Sequence, residues 1–305
     1  MRARWTGVGT ALVTPFTTSG ALDEPAVRRL TRRQIDAGVH FLVPCGTTGE
    51  NPTLTSDERV RVVELVVEEA AGQVPVLAGA GGYNTHEVIH LAAAMRTSGA
   101  SGLLSVTPYY NKPTQEGLYQ HFRAIADSTP LPIVLYNVPG RTGVNIEPAT
   151  VARLASVANI VGIKEASGNM SQICDLCHEV PPEFIVLSGD DVMTLPMMAI
   201  GGRGVISVAS NEAPDLMVRL VEAAERGDFS SARMMHDHLE PLMQVNFVES
   251  NPGPVKAAMA AMGLLDEVYR LPVVAPRPGA KERIVKVLQA LDLVDLTKER
   301  AHQVH

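Results

Sequence analysis

The sequence predicts a (β/α)8 barrel followed by a small helical domain, and three observations predict it. Eight short apolar runs recur over roughly the first 225 residues, which is the span such a barrel needs. Segments with helical spacing separate them. Beyond residue 228 the strand-like runs stop and only helical patterns remain. An open α/β sheet is compatible with the pattern alone; the count of eight favours the barrel.

In order, the apolar runs are 10–13, 39–43, 74–78, 102–106, 132–136, 160–164, 184–187 and 204–208. Each is rich in β-branched residues and apolar on both faces, as a strand covered by helices must be. Between them, Thr55/Ser56 followed by Asp57-Glu58 caps a helix through 59–71. Thr85 opens 86–97 and Thr114 opens 115–127. Pro148 sits at the start of 147–157, where its missing N–H costs nothing. Helices follow at 229–246, 252–262 and 281–291, parted by Leu271-Pro272 and Ala275-Pro276-Arg277-Pro278. The expected division is a barrel over 1–228 and a helical domain over 229–305, with a frayed polar tail from Arg300.

Composition narrows the function. The 305 residues are 46% apolar and 19% charged, enough for a large core and too apolar for a disordered chain. A net charge of −7 argues against nucleic-acid binding, which needs a basic face. No apolar run approaches a membrane span. Three cysteines and no signal core at Met1–Thr6 predict a soluble, reduced, cytoplasmic protein.

Barrel chemistry sits where strands end. Those ends read Gly46-Thr47-Thr48-Gly49-Glu50, Thr107-Pro108-Tyr109-Tyr110-Asn111, Tyr136 through Gly143, Lys164-Glu165, Ser188-Gly189-Asp190-Asp191 and Ser207 through Asn211. Lys164 stands out. The chain has six lysines against twenty arginines, yet a lysine closes an apolar strand. Burial disfavours an ammonium, and a neutral amine attacks ketones to give a Schiff base. A lysine snorkelling from the strand end, or paired with Glu165, is the plainer alternative. Tyr136 ends the preceding strand and so neighbours Lys164; its phenol can move protons, or serve as a satisfied core aromatic. The Gly46–Gly49 turn can hold a carboxylate on hydroxyls and backbone N–H groups, or be an ordinary loop. Arg141, after Pro139-Gly140, can fork onto a second carboxylate or lie in solvent.

At these residues the chain resembles the dihydrodipicolinate synthase / N-acetylneuraminate lyase family of Schiff-base-forming pyruvate enzymes. The resemblance runs from Gly9–Phe16 to Asn251–Lys256 and rests on the four strings around Thr47, Tyr110, Tyr136 and Lys164 taken together. It implies that Lys164 forms the imine with pyruvate and Tyr136 donates and accepts protons. Thr47 and Tyr110 complete a relay, with Tyr110 reaching in from the neighbouring subunit of a tight dimer. Thr48 holds the pyruvate carboxylate, Ile206 offers its carbonyl near the imine, Gly189 lines the substrate site and Arg141 binds L-aspartate-4-semialdehyde. It also implies a homotetramer built as a dimer of dimers, no cofactor, and a place in the diaminopimelate route to lysine. Another pyruvate-dependent aldolase, acting on a 2-keto-3-deoxy acid or a sialic acid, is the alternative. Positions comparable to the family's lysine-inhibition site include Asn51, Ser56, Arg59, Tyr83, Glu87 and Tyr109. Glu87 and Tyr109 fit that site while Ser56 and Tyr83 do not, so lysine inhibition is expected to be weak or absent.

Two rival motifs occur. His86-Glu87-Val88-Ile89-His90 spells the zinc-peptidase H-E-x-x-H, but it belongs to a helix outside the barrel and has no third ligand in sequence. Cys174-Asp175-Leu176-Cys177-His178 spells C-x-x-C-H without the export that haem attachment requires. Surface histidines and packed thiols are expected instead. A barrel that only binds ligand is a further alternative. It has no reason to carry the amine of Lys164 and the phenol of Tyr136 together.

Overall fold

A computed structural model describes residues 5–294. Eight strands run in parallel: β1 (Gly7–Ala11), β2 (Phe41–Val43), β3 (Leu77–Gly79), β4 (Gly102–Val106), β5 (Ile133–Asn137), β6 (Ile160–Glu165), β7 (Ile185–Ser188) and β8 (Gly204–Ser207). Their order is β2-β1-β8-β7-β6-β5-β4-β3. A parallel bridge between Leu42 and Val76, and the Gly79 N–H on the Pro44 carbonyl at 2.9 Å, join β2 to β3. The ring is therefore a barrel and not an open sheet.

The strands are apolar throughout, yet they sort by the period of two that a pleated strand imposes. Val134, Tyr136, Ile185, Leu187, Ile206, Phe41, Val43 and Leu104 pack together with Trp5 inside the barrel. Ile133, Leu135, Ile163, Val186 and Leu103 face outward into the helix layer. On β6 this puts Gly162 and Lys164 on the interior side and Ile163 and Glu165 on the other.

The first strand lies at 7–11, three residues before the expected 10–13. Gly7 and Gly9 hide it from an apolar pattern. A Cβ on Gly9 would stand 2.1 Å from the Phe41 ring, and one on Gly7 2.5 Å from the His40 ring. The missing side chains are replaced by rings from β2 and its approach.

Twelve helices follow among the described residues: α1 (Glu24–Asp36), α2 (Ser56–Ala70), α3 (Thr85–Thr97), α4 (Gln115–Ser128), α5 (Pro139–Thr142), α6 (Pro148–Ala155), α7 (Met170–Glu179), α8 (Thr194–Ala199), α9 (Pro214–Glu225), α10 (Phe229–Val245), α11 (Gly253–Ala261) and α12 (Pro278–Ala290). Thr55 forms the expected capping box with Glu58 on α2, and Thr114 caps α4. On α3 the cap is Asn84, one residue before the expected Thr85. An Asn side chain is the better acceptor for a free helical N–H, here that of His86 at 3.1 Å. The last three helices lie close to their expected spans. Leu239, Leu242, Met243, Ala258, Ile284 and Leu288 share one apolar cluster with Val8, Leu42 and Val205 of the barrel. The tail from Arg300 falls outside the described residues.

One buried and one half-buried titratable group weaken this fold in acid. His121 on α4 is buried, with Nδ1 2.9 Å from the Thr85 hydroxyl and Nε2 unpartnered. Burial pushes its pKa from 6.5 down to about 4. The unfolded chain thus takes up this proton before the fold does, so the contribution is intact above pH 6.5 and drains away down to pH 4. Glu58, forked onto Arg270, is held down to about 2 and loses its contribution only in stronger acid. Thermal melting temperature is expected to fall between pH 6.5 and 4. The slope should be shallower in His121→Gln, and an unchanged slope would assign the acid sensitivity elsewhere.

Candidate active site

Register brings the key groups to one rim. Val106 of β4 pairs with Tyr136 of β5, Tyr136 with Lys164 of β6, and Lys164 with Leu187 of β7. All lie on interior positions, so they form one layer near the C-terminal mouth. Lys164 is 5% exposed, and its Nζ lies 4.4 Å from the centroid of the Tyr136 ring. The plainer pairing with Glu165 does not occur. Glu165 points outward, accepts from Asn137 Nδ2 at 2.9 Å and from the Ser167 N–H at 2.6 Å, and is pushed up by burial. Lys164 is left without a carboxylate partner among the described ion pairs.

Gly189 makes room for this lysine. A Cβ there would stand 3.1 Å from Lys164 Cε and 2.7 Å from the Ala166 Cβ. Ile206 is buried on the interior face of β8.

A cavity of about 240 Å³ opens beside Tyr136. Thr47, Tyr109, Val138 and Arg141 also line it, whereas Lys164 sits next to it against the phenol ring. Cys45 is on the wall, but burial pushes its thiol up to about 12, so it is no rival nucleophile. Thr48 is buried, and its hydroxyl oxygen accepts from Asn251 Nδ2 at 3.0 Å. With that acceptor position filled, its own O–H is left to donate, which is what a carboxylate needs. Arg141 emerges from the short helix α5, and one Nη2 donates to the Asn251 carbonyl at 3.3 Å. The rest of its fork is uncommitted at an exposed rim.

Tyr110 is the exception. It sits in the left-handed region at φ +70°, is 91% exposed and does not line this chain's own cavity. Tyr109, its neighbour, turns inward and packs edge-on against Tyr83 with centroids 5.1 Å apart.

For three buried polar residues the partners are not readable from the sequence. Asn251 touches both Thr48 and Arg141 across more than a hundred residues. Asp191 is buried and accepts the N–H groups of Val208 and Ala209 at 2.9 Å each, fixing the exit of β8. Glu212, wholly buried on Asn246, is pushed well up by burial. Each depends on a chain crossing that no local pattern encodes.

Of the six positions compared for lysine inhibition, Ser56, Arg59, Tyr83, Glu87 and Tyr109 line a second cavity of about 480 Å³. Asn51 lines the first, and Tyr109 lines both. The rival motifs fall on helix surfaces. His86 and His90 face one another at 3.2 Å on α3, and no group of three or more His, Cys, Asp or Glu among the described residues could hold a metal. Cys174 and Cys177 on α7 are free thiols, the first exposed. No helix among the described residues is long and apolar enough to cross a membrane.

Comparison with known proteins gives the family and the fold. The model of the dihydrodipicolinate synthetase family matches residues 4–291. The 4-hydroxy-tetrahydrodipicolinate synthase of Koribacter versatilis is 52% identical over 282 residues, covering 92% of this chain and 94% of that protein. That of Syntrophus aciditrophicus is 50% identical, covering 94% and 99%. Among solved structures, dihydrodipicolinate synthase from Thermotoga maritima superposes with a TM-score of 0.94 at 46% identity, covering 95% of this chain and all of that one. The enzyme from Cyanidioschyzon merolae with lysine bound gives 0.93 at 38% identity, covering 95% and 99%.

Proposed function

The chain belongs to the dihydrodipicolinate synthetase family, and on that premise we infer how its residues carry out the family's reaction. It is a Schiff-base-forming lyase with the activity of 4-hydroxy-tetrahydrodipicolinate synthase, joining pyruvate to L-aspartate-4-semialdehyde on the diaminopimelate route to lysine.

The observation that carries the residue assignment is the burial of Lys164 at the interior rim, with its Nζ 4.4 Å from the Tyr136 ring centroid. The neutral amine adds to the keto carbon of pyruvate and water leaves as the imine forms. The protonated imine withdraws electrons from the methyl group, which loses a proton and becomes an enamine carbon. That carbon attacks the aldehyde of the second substrate. The amine of the second substrate then closes on the former keto carbon and expels Lys164. Tyr136 gives and takes the protons, Thr47 relays them, and Thr48 and the turn N–H groups hold the pyruvate carboxylate. Ile206 offers a backbone carbonyl beside the imine, and Gly189 leaves space for it. Arg141 forks onto the carboxylate of the aldehyde. The imine is itself the electron sink, so no cofactor enters the scheme.

The exposed Tyr110 supports an oligomer in which it completes the relay of a neighbouring site, within a dimer of dimers. One structure of a relative, 45% identical, is described as the first monomeric variant of that enzyme. The second cavity carries Ser56 and Tyr83, and lysine inhibition is weak or absent on this reading.

Coupled assays with purified protein test the substrate. Turnover with L-aspartate-4-semialdehyde should exceed cleavage of a 2-keto-3-deoxy acid or a sialic acid by about 100-fold or more in kcat/KM. Comparable rates with either sugar acid would move the chain to the aldolase alternative.

A further inference from the structure

Lys256 is the second buried lysine of this chain and has no place in the chemistry above. It lies on α11, wholly shielded from solvent, with Nζ 2.6 Å from Glu50 Oε1; both side chains are fully buried. Its Nζ also lies 4.3 Å from the Phe16 ring centroid. Glu50 ends the Gly46–Glu50 turn. It adopts φ +52°, and Cys45 before the turn adopts φ +57°, so two residues with side chains hold the left-handed region at the two ends. Such conformations persist only where the surroundings enforce them.

The surroundings that do so come from the far end of the chain. Asn251 holds the Thr48 hydroxyl, Lys256 holds the Glu50 carboxylate and Arg270 forks onto Glu58, across 203, 206 and 212 residues respectively. The Arg270 N–H reaches Glu50 Oε2 at 3.4 Å. On the barrel side, the Thr14 hydroxyl donates to the Gly49 carbonyl at 2.7 Å. The turn is gripped at Thr48, Gly49 and Glu50 in succession. An apolar pair would fill this space with no desolvation penalty, so stability alone gives little reason for a buried ion pair. What the pair adds is direction, because a carboxylate fixed at both oxygens fixes the backbone that carries it.

We propose that Lys256 is a positioning residue for pyruvate: acting through Glu50, it sets the Thr47-Thr48 turn in the geometry that receives the carboxylate. The helical segment after β8 is then part of the pyruvate site. This rests on the assignment of that turn to the pyruvate carboxylate.

Steady-state kinetics on Lys256→Met, Lys256→Arg and the Glu50→Gln/Lys256→Met double variant test it, with melting temperature measured for each. In Lys256→Met, KM for pyruvate should rise about tenfold or more, while kcat and the aldehyde KM change by less than about threefold. Lys256→Arg should recover part of the pyruvate KM. The double variant, with no uncompensated charge, should regain melting temperature but not the pyruvate KM. If Lys256→Met does not fold, the double variant gives the same readout. An unchanged pyruvate KM in a folded variant, or its recovery along with stability in the double variant, overturns the proposal. Trapping of the parent enzyme by borohydride with pyruvate separates the two levels: no adduct there would refute the pyruvate site itself.

Discussion

Lys164→Ala is expected to lose turnover by about 10³-fold or more, because no other group can open the covalent route. Borohydride added with pyruvate should fix a reduced adduct on Lys164 of the parent and leave the variant's mass unchanged. Lys256, though buried, is paired with Glu50 at 2.6 Å and does not lie against Tyr136. Lys112 and Lys281 lie outside the barrel interior, with Lys281 on Glu267. Peptide mapping distinguishes these sites. An adduct on any lysine other than Lys164, or none in the parent, would remove the proposed nucleophile.

Arg141→Ala is expected to separate the two half-reactions. A forked guanidinium on a carboxylate contributes charge-assisted hydrogen bonds, so the aldehyde KM should rise by about 100-fold. Imine formation with pyruvate should stay close to that of the parent, since the proposed assignment gives the first carboxylate to Thr48 and the turn and not to Arg141. Arg141→Lys keeps the charge but not the fork, and should restore only part of the loss. Stopped-flow or trapping measurements of the imine, set beside steady-state kinetics, decide the matter. Equal damage to both steps would mean that Arg141 shapes the whole mouth and not the second substrate's seat.

The fold was legible because the strands are short, apolar and interrupted at regular intervals by capped helices. Capping chemistry is local, so Thr55 and Thr114 could be placed from their neighbours alone. Strand β1 was displaced because glycines replace side chains where Phe41 and His40 fill the space. Helix α1 is masked by its arginines, with Ala26, Val27, Leu30 and Ile35 making its apolar face. Lys164 was visible as one polar residue closing an apolar run. Which way it points was not, because every strand is apolar on both faces; pairing with Glu165 stayed open until the pleat placed the two on opposite sides. The contacts of Asn251, Lys256 and Asp191 are unreadable for a simpler reason. Their partners are defined by how the chain closes on itself, and Asn251 and Lys256 meet theirs over more than 200 residues.

The outward phenol of Tyr110 has a genetic consequence. If each catalytic centre borrows this hydroxyl from another copy, two defective proteins can repair one another. A Tyr110→Phe chain and a Lys164→Ala chain, each nearly dead alone, would on co-refolding form mixed pairs in which one centre inherits both lesions and the other inherits none. Activity reappearing in the mixture, and absent from either parent, would be the mark of a centre that no single polypeptide owns.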